Sequence, residues 1–204
     1  MDPKVRYPPS WNDEDGKITP IKAPLHETWA AFESLQEKGL AKNIGISNYN
    51  GGLLLDLTRY AKKLPQTLQI EHHPYLVQQH MLDICKEYNI HVTAYSSFGP
   101  SSFIETGMQI SKDTPLLLEH EVITGLAKKH NKTPAQILLR WATQRGIAVI
   151  PKSNNQGRLQ QNLEVLGWDL EQSEIEKISG LDKNLKFNSP INYGLEHPGL
   201  LCFA

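Results

Sequence analysis

Apolar positions along the chain alternate between two periods. Leu25, Trp29, Phe32 and Leu35 recur at helical spacing and stop at Gly39, which predicts a helix closed by a glycine. Residues 43–48 read as a short strand. Leu53, Leu54, Leu55, Leu57 and Tyr60 predict a second helix. Residues 67–72 are strand-like, 78–88 carry Met81, Leu82, Ile84 and Cys85 at helical spacing, and 90–95 read as a third strand. Residues 96–115 show neither period. At this length the segment exceeds an incidental connection of ~12–15 residues, so a functional loop is expected. A helix over 116–130 follows. Thr133-Pro-Ala-Gln136 has the form of a capping box with Pro at the first helical position, and opens a helix ending near Gln144. Residues 147–150 form a wholly apolar strand, as burial on both faces demands. Residues 155–166 predict a further helix, and Ser173-Glu-Ile-Glu176 a second capping box opening the last one. The tail from Asp182 shows no clear element. Residues 1–23 read as loop, because Pro3, Pro8, Pro9, Pro20 and Pro24 interrupt any helix.

Strict alternation of strand and helix predicts a parallel sheet. The strands end in Ser47-Asn48, Glu71-His72-His73, Tyr95-Ser96 and Lys152-Ser153. A polar group at each C-terminal strand end is the pattern of a (β/α) barrel, whose sites lie on that face. A full barrel needs eight strands and ~250 residues; the periodicity here predicts four, so about half a barrel is expected. Cutting a closed barrel exposes two sheet edges. Aggregation, self-pairing or molten behaviour is the corresponding expectation.

Composition narrows the class. The chain has 204 residues, 39% of them apolar, with 14 glycines, an ordinary globular balance for a single domain. Lys and Arg number 21 against 22 Asp and Glu, giving a formal charge of −1. A net-basic nucleic-acid or membrane binder is therefore not expected. Two cysteines, Cys85 and Cys202, imply no disulfide framework, and are simplest as free thiols in a reducing compartment. No apolar run approaches the ~18 residues of a membrane span, and the polar, Pro-rich start has neither signal- nor transit-peptide character. A cytoplasmic location is expected.

The candidate chemistry gathers at strand ends. Lys152-Ser153-Asn154-Asn155 with Arg158 follows the last strand and enters a helix. An anion there meets free backbone N–H groups and the positive end of a helix dipole; the plainer alternative is a polar helix start with a solvated Arg. Ser47, Asn48 and Gln69 carry hydroxyl or amide groups at strand ends, and taken alone read as caps. His72 and His73 resemble half a metal site, but adjacent strand residues point to opposite faces and no third ligand has suitable spacing; a structural role is expected. Trp29, Trp141 and Trp168 read as packing residues. The 96–115 segment lacks GxGxxG, which argues against a Rossmann phosphate loop.

Gly45-Ile-Ser-Asn48, Gln69-Ile-Glu-His-His-Pro74, Ala94-Tyr-Ser-Ser-Phe-Gly99 and Ile150-Pro-Lys-Ser-Asn-Asn155 resemble the aldo-keto reductases, and more narrowly the fungal D-xylose reductases of the aldose reductase group. The likeness runs from residue 2 to about Asn188. It implies a (β/α)8 TIM-type barrel of which these are about the last four βα units, with the N-terminal half missing. Residues 1–204 are then a single partial aldo-keto reductase domain, with 1–23 a loop remnant and 189–204 a C-terminal tail. The family's Asp, Tyr, Lys and His tetrad belongs to the first four units, so the resemblance places no catalytic residue in this chain. It does imply NADPH or NADH as cofactor. Lys152, Ser153, Asn154 and Arg158 would contact the adenosine 2′-phosphate or 2′-hydroxyl, with Gln161 and Asn162 at the adenine. Glu105 would bond the ribose hydroxyls, which permits NADH beside NADPH; the alternative is a solvated surface Glu. The segment from Ser96 to Phe103 would fold over the pyrophosphate, with Ser96, Ser97 and Phe98 as its contacts. Tyr95 would stack on the nicotinamide, and Ser47, Asn48 and Gln69 would hold its carboxamide. Asn188 and Trp11 would border the substrate.

The activity the resemblance implies is reduction of an aldose or aldehyde carbonyl, D-xylose to xylitol in particular, with a small sugar or aldehyde as partner. For the isolated chain, negligible reductase activity is expected. The alternatives are a non-catalytic cofactor-binding or regulatory fragment, and another aldehyde or carbonyl reductase.

Overall fold

The computed structural model describes residues 23–189 and 192. Trp11 and Cys202, the loop over 1–22 and most of the tail beyond 189 lie outside the described residues. The elements are α1 (Leu25–Glu37), β1 (Gly45–Ser47), α2 (Gly51–Tyr60), β2 (Thr67–Glu71), α3 (Gln79–Glu87) and β3 (His91–Tyr95). They continue with α4 (Gln109–Asp113), α5 (Glu121–His130), α6 (Pro134–Gln144), β4 (Ala148–Val149), α7 (Gln156–Leu163) and α8 (Gln172–Ser179).

The four strands form one parallel sheet in the order β1-β2-β3-β4. Parallel strands need right-handed crossovers. Since the order never reverses, each crossover returns on the same side of the sheet. Among the described residues, one face is thus covered by helices and the other is not. The strand residues obey this. Leu68, Ile70, Val92 and Ala94 are buried and join the main core with Leu54, Met81, Cys85, Ile123, Ile137, Leu138, Trp141 and Ile178. Their neighbours Thr67, Gln69 and Thr93 are half-buried. Ser47, Gln69, Thr93 and Ala148 lie in register across all four strands, making a row on the face away from the helices. Singly wound order of this kind is that expected of consecutive strands in a (β/α) barrel.

Two strand contacts demand particular residues. A Cβ at Gly45 would lie 2.3 Å from Thr67 Cγ2 and 2.6 Å from its carbonyl oxygen, so β1 approaches β2 only without a side chain there. Gly99 has φ of 58°, and a Cβ would lie 2.7 Å from Leu117 Cδ1. That glycine seats the segment after β3 on the core.

Local signals set several helix starts. Asn50 Oδ1 accepts from Leu53 N–H at 3.0 Å and caps α2. Thr133 Oγ1 accepts from Gln136 N–H at 3.2 Å, while Gln136 Oε1 accepts from Thr133 N–H at 3.0 Å; this is the capping box read from the sequence. The second box is displaced. Glu171, not Ser173, precedes the helix, and its N–H donates to the Glu174 carboxyl at 2.8 Å. The helix expected over 116–130 is also divided. Leu117–Glu119 form a 3₁₀ turn, and His120 is extended at φ −63°, ψ 134°. Its Nδ1 accepts from Val122 N–H at 3.2 Å, so the imidazole starts α5. The helix expected over 155–166 ends at Leu163. Within the supposed loop 96–115 are two 3₁₀ turns (Gly99–Ser102 and Ile104–Thr106) and α4.

Exposed apolar side chains flank both edges of the sheet. Phe32, Leu35 and Leu55 lie on α1 and α2, and Leu40 between α1 and β1. At the other edge are Ile150, Leu159, Leu163 and Leu166, on or beside β4 and α7.

Candidate functional site

The C-terminal ends of the strands carry two neighbouring groups of predicted residues. The first lines a cleft of about 740 Å³. Its walls come from three segments. Ser96, Ser97, Phe98, Ser101, Ser102 and Glu105 follow β3; Thr133, Pro134 and Ala135 open α6; and Lys152, Ser153, Asn154, Arg158, Gln161 and Asn162 follow β4. The structure therefore brings together ten of the residues predicted from the sequence.

Each wall has a local cause. Ser96 has φ of 54°, a left-handed conformation that bends the chain off the end of β3, and its carbonyl accepts from Gly99 N–H at 2.8 Å. The turn is held from behind, where the Ser111 hydroxyl donates to Pro100 O. Asn155 Oδ1 accepts from Arg158 N–H at 2.9 Å and caps α7, which leaves the Arg158 guanidinium at the mouth. Gln136 Nε2 donates to Gln161 O at 3.0 Å and ties α6 to α7. Two capped helix starts thus open onto one cleft. Their unpaired N–H groups and dipoles favour an anion, and Lys152 and Arg158 add two formal positive charges. Glu105 supplies one negative charge, on the exposed turn at Ile104–Thr106.

The buried hydroxyls of Ser97 and Ser101 have no hydrogen-bond partner among the described residues. Buried polar groups are rarely left so. Both residues line a cleft carrying this charge. Ser101 and Ser102 lie within the 96–103 segment expected over the pyrophosphate, though neither was named by itself, and the α6 start was not expected at the site. The capping box located that helix, but nothing local placed it beside Lys152.

The second group is a chain of hydrogen bonds across the strand ends. Tyr95 Oη donates to Asn48 Oδ1 at 2.7 Å and accepts from Asn188 Nδ2 at 2.6 Å. Asn48 is left-handed at φ 57°, a conformation Asn tolerates well, and its N–H donates to Gln69 O at 2.9 Å. Ser47 and Gln69 are register partners on the adjoining strands. None of Ser47, Asn48, Gln69 and Tyr95 lines the cleft itself. The predicted residues therefore form two neighbouring groups, joined where Tyr95 leads directly into Ser96.

Beneath this chain is a corner that sequence reasoning missed. The Glu71 side chain is fully buried, as is that of His73. Glu71 Oε1 accepts from His73 Nε2 at 2.9 Å and from Phe187 N–H at 2.9 Å, and Oε2 accepts from Asn188 N–H at 2.8 Å. The Phe187 ring lies 5.5 Å from His73 and 5.6 Å from Phe103, centroid to centroid. Burial pushes Lys186 below the usual lysine range, with Glu71 acting in opposition.

His72 faces the other way. Its ring stacks on Trp141 at 4.9 Å, and Arg145 Nη1 approaches its Nε2 at 3.2 Å. Burial, then the Arg145 charge, hold its pKa at about 3, below the ordinary 6.5. Both histidines are occupied in packing, as their alternation along the strand predicts. Trp29 and Trp141 are buried and Trp168 packs against the main core. Cys85 is a buried free thiol, pushed up to about 11 by burial and hence inert.

Comparison with known proteins identifies the lineage of this site. The sequence model of the "Aldo/keto reductase family" matches residues 7–183. The chain is 61% identical over 198 residues to an Aspergillus flavus protein named "Probable NAD(P)H-dependent D-xylose reductase xyl1", covering 97% of this chain and 62% of that protein. It is 60% identical over 195 residues to a protein of the same name in Emericella nidulans, covering 96% and 61%. Against the "NAD(P)H-dependent D-xylose reductase xyl1" of Aspergillus niger the identity is 56% over 198 residues, covering 97% and 62%. The chain thus spans a little under two thirds of the length of these relatives. A family match over most of its residues, with the strand-end motifs inside it, establishes that the chain belongs to the aldo/keto reductase family.

Proposed function

We propose that this chain carries the cofactor-binding part of an NAD(P)H-dependent reductase acting on aldoses or aldehydes, D-xylose foremost. The observation that carries the reading is the cleft, where two helix starts, Lys152, Arg158, Ser97 and Ser101 line one space. A dinucleotide's phosphates match that donor set. The names of the relatives at about 60% identity support the same class.

Lys152, Ser153, Asn154 and Arg158 would hold the adenosine phosphate or ribose, with Gln161 and Asn162 at the adenine. Ser96, Ser97, Phe98 and Ser101 would line the pyrophosphate, and Glu105 the ribose hydroxyls. Ser47, Asn48, Gln69 and Tyr95 would hold the nicotinamide, with Asn188 and Trp11 beside the sugar. When bound, NADPH or NADH supplies the hydride that turns an aldehyde carbon into an alcohol carbon. The protein's residues bind and orient. The Tyr95 hydroxyl is committed to Asn48 and Asn188, so its phenol serves as a fixed ring rather than as the acid. We place the proton donor outside these 204 residues, and read the four βα units as the last four of a (β/α)8 barrel. A cytoplasmic setting and self-association through the apolar sheet edges belong to the same proposal.

The test is titration of the purified chain with NADPH, followed by nicotinamide fluorescence. Saturable binding in the ~1 μM–1 mM range usual for enzyme ligands is expected, weakened by rising salt. No binding by ~1 mM overturns the cofactor assignment. Xylose-dependent loss of NADPH absorbance from the chain alone would overturn the placement of the acid elsewhere.

A further inference from the structure

We propose that Glu71 is a positioning residue that sets the Tyr95 ring through Asn188, by clamping the chain at Phe187 and Asn188 across the strand ends. The proposal rests on the functional reading only for what Tyr95 touches; the clamp itself stands on geometry.

Glu71 ends β2 and is paired in register with Tyr95 at the end of β3. Its backbone position and that of Tyr95 are therefore fixed by the same ladder. The Glu71 side chain, with no exposure, receives donors on both oxygens. Two of these are consecutive backbone N–H groups, from Phe187 at 2.9 Å and Asn188 at 2.8 Å. One carboxyl group thus holds two successive peptides of a segment more than a hundred residues away in sequence. Such a bidentate arrangement fixes direction as well as distance. His73 completes the set at 2.9 Å, and the Phe187 ring closes the corner from above against His73 and Phe103.

The consequence appears one bond further along. With its backbone held by Glu71, Asn188 directs its amide onto Tyr95 Oη at 2.6 Å. Tyr95 in turn directs its proton to Asn48 at 2.7 Å. The torsion of the Tyr95 ring is then fixed at its far end by two amides, one of which depends on Glu71. A buried carboxyl group whose only task was to cap a tail would need no such continuation into the row of predicted ligand contacts.

The experiment compares Glu71→Gln and Asn188→Ala in the full chain. Glutamine keeps the volume but replaces one acceptor by an NH₂ group, which cannot accept from a backbone N–H. Two readouts are taken: hydrogen exchange of the Phe187 and Asn188 amides, and the ring resonances of carbon-13-labelled tyrosine, with Tyr95 assigned from Tyr95→Phe. In Glu71→Gln we expect amide exchange at 187 and 188 to accelerate at least ~10-fold and the Tyr95 resonance to move. Those outcomes are the kinetic and spectral forms of losing a charge-assisted hydrogen bond. In Asn188→Ala the Tyr95 resonance should move while Phe187 stays protected. Unchanged exchange and an unchanged Tyr95 signal in Glu71→Gln overturn the proposal, as does a Tyr95 signal insensitive to Asn188→Ala. If Glu71→Gln does not fold, the unsubstituted chain decides. Protection of both amides equal to that of the β2–β3 ladder supports the clamp, and solvent-like exchange overturns it. Neither readout requires NADPH, so failure of cofactor binding would remove the functional reading and leave the clamp to be judged separately.

Discussion

The Glu71 corner and the Lys152 cleft lie at the same end of one sheet and treat polar groups in opposite ways. At the corner, both oxygens of a fully buried carboxyl group are engaged by groups of the protein itself. In the cleft, Ser97 and Ser101 keep buried hydroxyls without partners among the described residues, and Lys152 and Arg158 extend into the open. The difference separates two duties that sequence alone merges into "polar residue at a strand end". Here the internally satisfied carboxyl group holds the frame, and the exposed cations of the cleft are the groups able to meet a ligand. Removing a residue of the first kind should therefore cost stability, and removing one of the second kind should cost binding.

The largest effect expected on that basis is at Glu71. Glu71→Leu leaves one buried and one half-buried backbone donor, at Phe187 and Asn188, without their acceptor, at ~1–3 kcal/mol each. Denaturant unfolding should show a loss of about 3 kcal/mol or more; a change under ~1 kcal/mol would erase the distinction.

Next in size is a pH effect confined to the buried side. His72 is held at about 3 in the folded chain against 6.5 when unfolded, chiefly by burial. The unfolded state therefore binds the proton more tightly between those values. Stability is complete above about pH 6.5 and falls as pH drops toward 3, by up to ~1.4 kcal/mol per unit. At pH 5 the expected loss is about 2 kcal/mol relative to pH 7. His72→Gln should flatten this part of the profile, and an equally steep profile in that variant would remove His72 as its source.

Smaller again are the effects at the cleft. Lys152→Ala and Arg158→Ala should each weaken NADPH binding about tenfold, ~1.4 kcal/mol, while leaving unfolding within ~0.5 kcal/mol of the parent. Loss of stability in place of affinity would invert the comparison. The smallest change is expected at Glu105. Glu105→Gln removes a negative charge near the proposed ribose position and should move preference toward NADPH over NADH by a few fold, read from the two titration midpoints.

How far the sequence carried this picture follows from the range of each interaction. All four strands and the α6 capping box are written in local residues and appear in the fold. But 147–150, expected to be buried on both faces, is among the described residues an edge strand in which only Ala148–Val149 pair, with Ala148 and Ile150 exposed. The division before α5 escaped because the apolar run Leu116-Leu117-Leu118 looks helical, whereas the deciding contact is an imidazole accepting from Val122. The last helix start was misplaced because Ser173–Glu176 and Glu171–Glu174 share one spacing. Only the bond from Glu171 N–H to Glu174 decides between them. In the site, the anion-binding start of α7 from Lys152 to Arg158 was legible locally, and family resemblance supplied the other predicted cleft residues. Glu71 stayed hidden because its partners at 187 and 188 are more than a hundred positions away, and no local pattern announces such a bond.

The unreversed strand order has a consequence for how such a protein changes over generations. All crossovers share one side, so residues such as Leu68, Ile70, Val92 and Ala94 bear the burden of folding. Their alternate neighbours, Ser47, Gln69 and Thr93 among them, belong to the other side and can be exchanged without disturbing that packing. A new preference for ligand can therefore arise by drift at alternate positions, one codon at a time, on a scaffold that need not be reinvented.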